Sequence, residues 1–272
     1  MPAPPPSATF ALRTVDELDL DGERELAAVA LCADLKEVLR RSRYRFRVMP
    51  PASAHRWDRA VLLNLTFWSP ADQGDVLLDE PVPADVIAHV AWHHLCEQAL
   101  PQSGRPSPES LFLGESIASA FDLYLVGRLL PLAPEAAYLE SQLPRLEETA
   151  AEAGLSEEAF AALLESIAAA PERAFEELRQ LLFDATLRLY RSATAEEGLS
   201  ALEAFAGHRL APLLHRFELS NWVLHARVHA AAGATADAAA LDLDAAMRAA
   251  ADPLALLDEL WIAPRLRGAA VR

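Results

Sequence analysis

From Asp21 to Arg43, in DGERELAAVALCADLKEVLRRSR, apolar residues recur at helical spacing and basic residues gather in the last turn, where they suit the helix dipole. This pattern predicts a helix. The next stretch, YRFRVMP, alternates aromatic or apolar residues with arginine, the period-two mark of a half-exposed strand. RAVLLNLTFW (59–68) is a β-branched and aromatic run that suits a more buried strand, and SPADQGD after it reads as a turn. VLLDEPVP (76–83) is a third, weaker strand candidate, ended by proline.

Beyond Pro83 the texture becomes helical. Asp85 or the proline before it starts a helix over VIAHVAWHHLCEQAL, and PQSGRPSPES forms a loop rich in Pro, Ser and Gly. A second helix follows over LFLGESIASAFDLYLVGRLL, with Ser107 as N-cap and Pro108 at its first position. Segments 134–152, 156–169, 171–191, 195–216, 221–231 and 235–260 all read as alanine- and leucine-rich helices with no common repeat length. The expected class is therefore α+β, predominantly helical, with a small N-terminal sheet.

Composition narrows the function classes. The chain has 272 residues, 52% of them hydrophobic and 24% charged, which is enough to build a core without staples. Its net charge of -16 repels phosphate backbones and anionic headgroups, so neither nucleic acid nor a membrane is an expected partner. Glu115, Asp122 and Arg128 interrupt the most apolar run, which argues against a bilayer-spanning helix. The first residues have neither a basic nor a continuous apolar segment of the secretory kind, so 1–20 reads as a flexible leader. Cys32 and Cys96 lack CxxC spacing and suit buried free thiols in a cytoplasmic protein.

The candidate chemistry lies in the first two helices after Pro83. His89 and His93 are four apart, so both imidazoles share one helical face and can point at a common atom. On the following helix Glu115, Ser119 and Asp122 form one polar line in otherwise apolar surroundings. Buried carboxylates in such a line require a cation or an imidazole partner. The spacing predicts that donor atoms of His89, His93 and Glu115 converge within about 4–5 Å, as ligand bonds of about 2.0–2.2 Å demand. His94 lies about 100° round the helix, toward Glu97 or solvent.

A helix with HxxxH, a short loop and a helix with LGESIASAFD resembles the core of the gluzincin zinc metallopeptidases, over roughly residues 55 to 130. The resemblance implies zinc held by His89, His93 and Glu115, with Ser119 or Asp122 orienting a histidine. It also implies a metallopeptidase-like core over 21–131 and a helical region, 132–272, packed on it. The family's general base directly follows the first histidine, and here that residue is Val90, which cannot move a proton. Val90 is expected beside the open coordination position, and the protein is expected to be a proteolytically inactive relative that binds a peptide or protein ligand.

A second HxxxH pair, His225 and His229, has no carboxylate line beside it and is expected at most to close over the first site. His208 and His215 are seven apart near Pro212. Two other readings compete with the zinc site. One is a metal-free helical interaction or scaffold protein with a buried His–carboxylate network. The other is a non-haem iron bundle, disfavoured because no Glu-x-x-His pair surrounds His89.

Overall fold

The structure is a computed structural model and describes residues 10–50, 75–78, 80–100, 105–230 and 237–268. Strand β3, Arg45–Val48, follows its alternating sequence: Phe46 and Val48 are buried while Arg45 and Arg47 turn outward. It pairs antiparallel with β1, Ala11–Thr14, and parallel with β4, Val76–Leu77. A second small sheet joins β2, Leu20–Asp21, in parallel to β5, Val82–Pro83. The expected weak strand over 76–83 is thus two short strands in different sheets. The buried run expected at 59–68 lies outside the described residues.

Two expectations for the N-terminal part are corrected. Residues 11–14 and Leu20, read as leader, lie in strands, and β1 covers the backbone edge of β3. Thr14 and Glu17 lock the turn after β1 in a capping box, with Glu17 Oε2 accepting from the Thr14 amide at 2.7 Å. The helix expected over 21–43 is two, α1 (Glu23–Leu26) and α2 (Ala30–Ser42). Val29 is extended between them, a conformation that a β-branched residue adopts readily, and it buries its side chain beside Leu26.

Helix α3, Ala84–Ala99, carries the histidines, and α4, Pro108–Leu132, carries the polar line. The Ser107 hydroxyl caps α4 by accepting from the Ser110 amide, with Pro108 at the first position. Among the described residues α4 is the one helix long and apolar enough to cross a membrane, and 83% of its most apolar window is buried inside the protein. Apart from the polar line it is apolar because it is enclosed: α3 packs on one side, and α6 (Glu157–Ala169) and α7 (Pro171–Arg191) on others. At Gly127 an added Cβ would come within 2.9 Å of the Pro171 side chain, so only glycine permits this approach. Beyond α5, Ala137–Glu152, the remaining helices complete the predominantly helical α+β architecture.

In this C-terminal half the sequence pattern overextends some helices. Within 195–216 the α-helix α8 runs only over Ala195–Glu203, followed by turns around Gly207 and a short 3-10 helix, Ala211–Leu213. Of the segment 221–231, residues 221–229 belong to α9, Arg216–His229, which starts earlier because the His215 ring caps it by accepting from the Glu218 amide; residue 231 lies outside the described residues. The described part of the segment 235–260, from 237 on, is split into α10, Ala238–Ala249, and α11, Pro253–Leu257, since Pro253 has no amide proton to continue the first helix. A wide five-residue turn, Asp258–Ile262, leads into α12, Ala263–Leu266.

One buried ion network ties α7 to α10. The guanidinium of Arg179 is fully buried and bonds Asp244 at 2.7 Å and both oxygens of Glu176 at 2.6 and 2.7 Å. Asp244 also accepts from Arg248 at 2.8 Å. Asp244→Asn should cost roughly 1.5–3 kcal/mol, the range for a hydrogen bond to a charged group, because Glu176 still compensates Arg179. Urea unfolding measures this loss.

Candidate metal centre

The close approach of α3 and α4 builds the site. At Gly114 an added Cβ would meet Cys96 Sγ at 3.3 Å and His93 Nδ1 at 3.8 Å, so the absent side chain lets the two helices nearly touch. Glu115, next in sequence, is thereby brought to the histidine face. One donor atom from each of His89, His93 and Glu115 lies within 4.8 Å of the others, which meets the sequence expectation. His93 Nε2 stands 3.6 Å from Glu115 Oε2, too far for a hydrogen bond. Two donors each about 2.0–2.2 Å from one tetrahedral ion stand about 3.3–3.6 Å apart, so this gap suits a shared ion.

The surroundings favour ligation. Asp122 Oδ2 lies 2.9 Å from His89 Nδ1; an ionised carboxylate only accepts, so Nδ1 carries the proton and Nε2 is the donor atom turned to the site. Asp122, not Ser119, therefore orients the histidine, while Ser119 lines the cleft beside it. The Tyr138 hydroxyl in turn donates to the Asp122 carbonyl at 2.6 Å. Glu115 is 3% exposed, and its Oε1 is buried without a hydrogen-bond partner. An orphaned carboxylate oxygen in this position is costly unless a cation completes it.

The protonation pattern describes the same need. Burial pushes the Glu115 carboxyl up to about 8, opposed by the charge of His89 and reinforced by Glu218 and Asp122. For His89, burial works downward, but the Asp122 carboxylate together with Glu115 and Asp85 holds the ring up to about 9. Burial and the charge on His89 drive His93 well below the ordinary histidine range. Near neutral pH the metal-free site thus holds protons on Glu115 and His89, and an ion must displace both. Apparent zinc affinity should therefore rise as pH rises through and above neutrality, because binding releases these protons. Competition against a chromophoric chelator at several pH values measures this slope; a flat profile would contradict proton displacement.

His89, Glu115, Ser119 and Asp122 line the inner end of a cleft of about 660 Å³, walled by α4, α5 and the start of α9. Three expected neighbours are elsewhere. Val90 is fully buried and does not line the cleft, because its place round α3 turns it into the core. His225 and His229 stack on each other with ring centroids 4.3 Å apart and also lie outside the cleft lining. Helix α9 instead presents Glu218, Leu219, Asn221 and Trp222, the residues of its first turns. His94 bonds to Gln98 at 2.8 Å and packs edge-on to Tyr44, not to Glu97.

Two further acids, Asp85 and Glu218, line the cleft. Asp85 precedes His89 by four residues, so the helical spacing that links His89 to His93 already placed it on the same face. Burial, then the neighbouring Asp122, pushes its carboxyl up to about 6. Glu218 comes from a helix more than a hundred residues away, and no local pattern points to it. Comparisons with protein-family models, curated proteins and solved structures give no match for this chain. The feature of the gluzincin resemblance present in the structure is the cluster of His89, His93 and Glu115 itself.

Proposed function

We propose that this chain is a metallopeptidase-like, cytoplasmic zinc-binding protein that holds one ion through His89, His93 and Glu115 and binds, without hydrolysing, what enters the cleft. The observation that carries the reading is the convergence of two imidazoles and one buried carboxylate within 4.8 Å, with Asp122 fixing the proton of His89. Two nitrogen donors and one carboxylate suit zinc, and three protein ligands leave a coordination position open toward the cleft. A bound zinc would supply Lewis-acid polarisation of an oxygen placed there.

The chain's own groups bind and orient. Asp122 keeps the proton on His89 Nδ1, and the Tyr138 hydroxyl steadies the Asp122 backbone. The side chain that follows His89 has no proton to exchange and faces the core, so the gluzincin base is missing in both chemistry and position. With a charge of -16, the protein's surface disfavours nucleic acid and anionic membranes as partners.

Elemental analysis of untagged protein, paired with a peptide-cleavage assay, tests the proposal. The expected result is about one zinc per chain, since three protein ligands define one site, with no chelator-sensitive cleavage. Iron in place of zinc would favour the non-haem reading, and no metal would favour the scaffold with a His–carboxylate network. Robust chelator-sensitive cleavage would overturn the inactive assignment and direct attention to Asp85 and Glu218 as bases.

A further inference from the structure

We infer that the cleft accepts an organic cation: an ammonium or guanidinium group carried on an apolar stem. The inference extends the zinc-site reading, on which it relies for the inner end of the ligand. Among the described residues, Asp85, Asp122, Glu148, Glu152 and Glu218 line the cleft against the single guanidinium of Arg145. Even when Glu115 and a dication together count as one positive charge, the carboxylates outnumber the cations. Low-dielectric walls focus such a field and raise the local concentration of positively charged ligands.

Acidity alone would describe a solvated surface, but this cleft has two further features. Part of its lining is apolar, supplied by the largely buried side chains of Val126, Leu182, Leu219 and Trp222, and its volume of about 660 Å³ accommodates a small organic molecule. At its inner end stands Glu115, buried to 3% exposure, with Oε1 unpartnered among the described residues. An apolar stem fits the apolar lining, and a cationic group meets the rim carboxylates. Anionic and purely apolar molecules each lack half of this match.

Calorimetric titration of the full chain, zinc-loaded and chelator-treated, tests the assignment with matched pairs of probes. Hexylamine is compared with hexanol, and N-acetyl-Leu-Arg-Leu-amide with its citrulline counterpart, which keeps the arginine shape without the charge. The cationic member of at least one pair should bind at least about tenfold more tightly. Selectivity in the peptide pair alone identifies a basic peptide, and in the hexyl pair alone a small amine. The exposed rim substitutions Glu148→Gln, Glu152→Gln and Glu218→Gln together should weaken cation binding on the order of tenfold, as three exposed ion pairs worth a few-fold each would. Arg145→Gln should strengthen it, a direction that structural damage would not produce. Zinc content measured on the same samples should not change in these variants. Equal binding of charged and neutral probes by zinc-loaded protein would overturn the cation assignment and leave the metal site standing. Charge-selective binding by protein that takes up no zinc would overturn the metal site and leave the cation assignment standing.

Discussion

Glu115→Gln should lower zinc affinity by at least about 10²-fold, more than the 10–100-fold typical of losing an outer hydrogen-bond partner, because it removes a ligand outright. The amide keeps the shape of the side chain, so packing between α3 and α4 is preserved while the charge that the ion needs is lost. The same substitution should leave the metal-free protein as stable as the wild type or more so above pH 8, where the buried carboxylate ionises. The sign follows from the raised carboxyl. Its stabilising contribution is complete below the ordinary glutamate value near 4.5 and is lost as pH climbs through about 8. Thermal unfolding with and without zinc separates the two effects: zinc at 100 times its Kd should stabilise the wild type by about 2.7 kcal/mol and the variant hardly at all. Asp122→Asn should give the smaller, 10–100-fold loss, since it disturbs the proton on His89 and keeps all three ligands.

Val90→Glu should destabilise the protein by about 3–5 kcal/mol, and it should not create peptidase activity. The motif invites the opposite expectation, because a glutamate at this position would restore HExxH. In the structure Val90 is fully buried, on the side of α3 that faces the core, so a carboxylate there is either ionised without a partner or neutral with unsatisfied oxygens. Urea unfolding measures the loss. A variant as stable as the wild type that gains chelator-sensitive cleavage would show that position 90 reaches the cleft and would refute the placement of α3.

The parts of this protein that were legible in the sequence are those set by local periodicity. The HxxxH spacing on α3 and the line of Glu115 and Asp122 on α4 place their side chains by helical geometry alone, and these residues meet as the spacing requires. The Ser107–Pro108 start of α4 is likewise a local signal. What the pattern missed depends on long-range packing. Val90 has the same helical phase in any model of α3, but which phase meets the core is decided by α4 and the sheet. His225 and His229 repeat the HxxxH spacing and still lie away from the cleft, because the orientation of α9 turns its first turns inward. Composition also favoured long helices where Gly207, Pro212 and Pro253 end them, as alanine-rich stretches keep a helical period across a break.

The most direct measurement is zinc titration of untagged, chelator-stripped protein at pH 8, followed by mass-spectrometric metal content after dialysis. The account expects saturation near one zinc per chain in the wild type and loss of that zinc in Glu115→Gln and in His93→Ala. A wild type that retains no stoichiometric zinc and shows no zinc-dependent rise in melting temperature would contradict it.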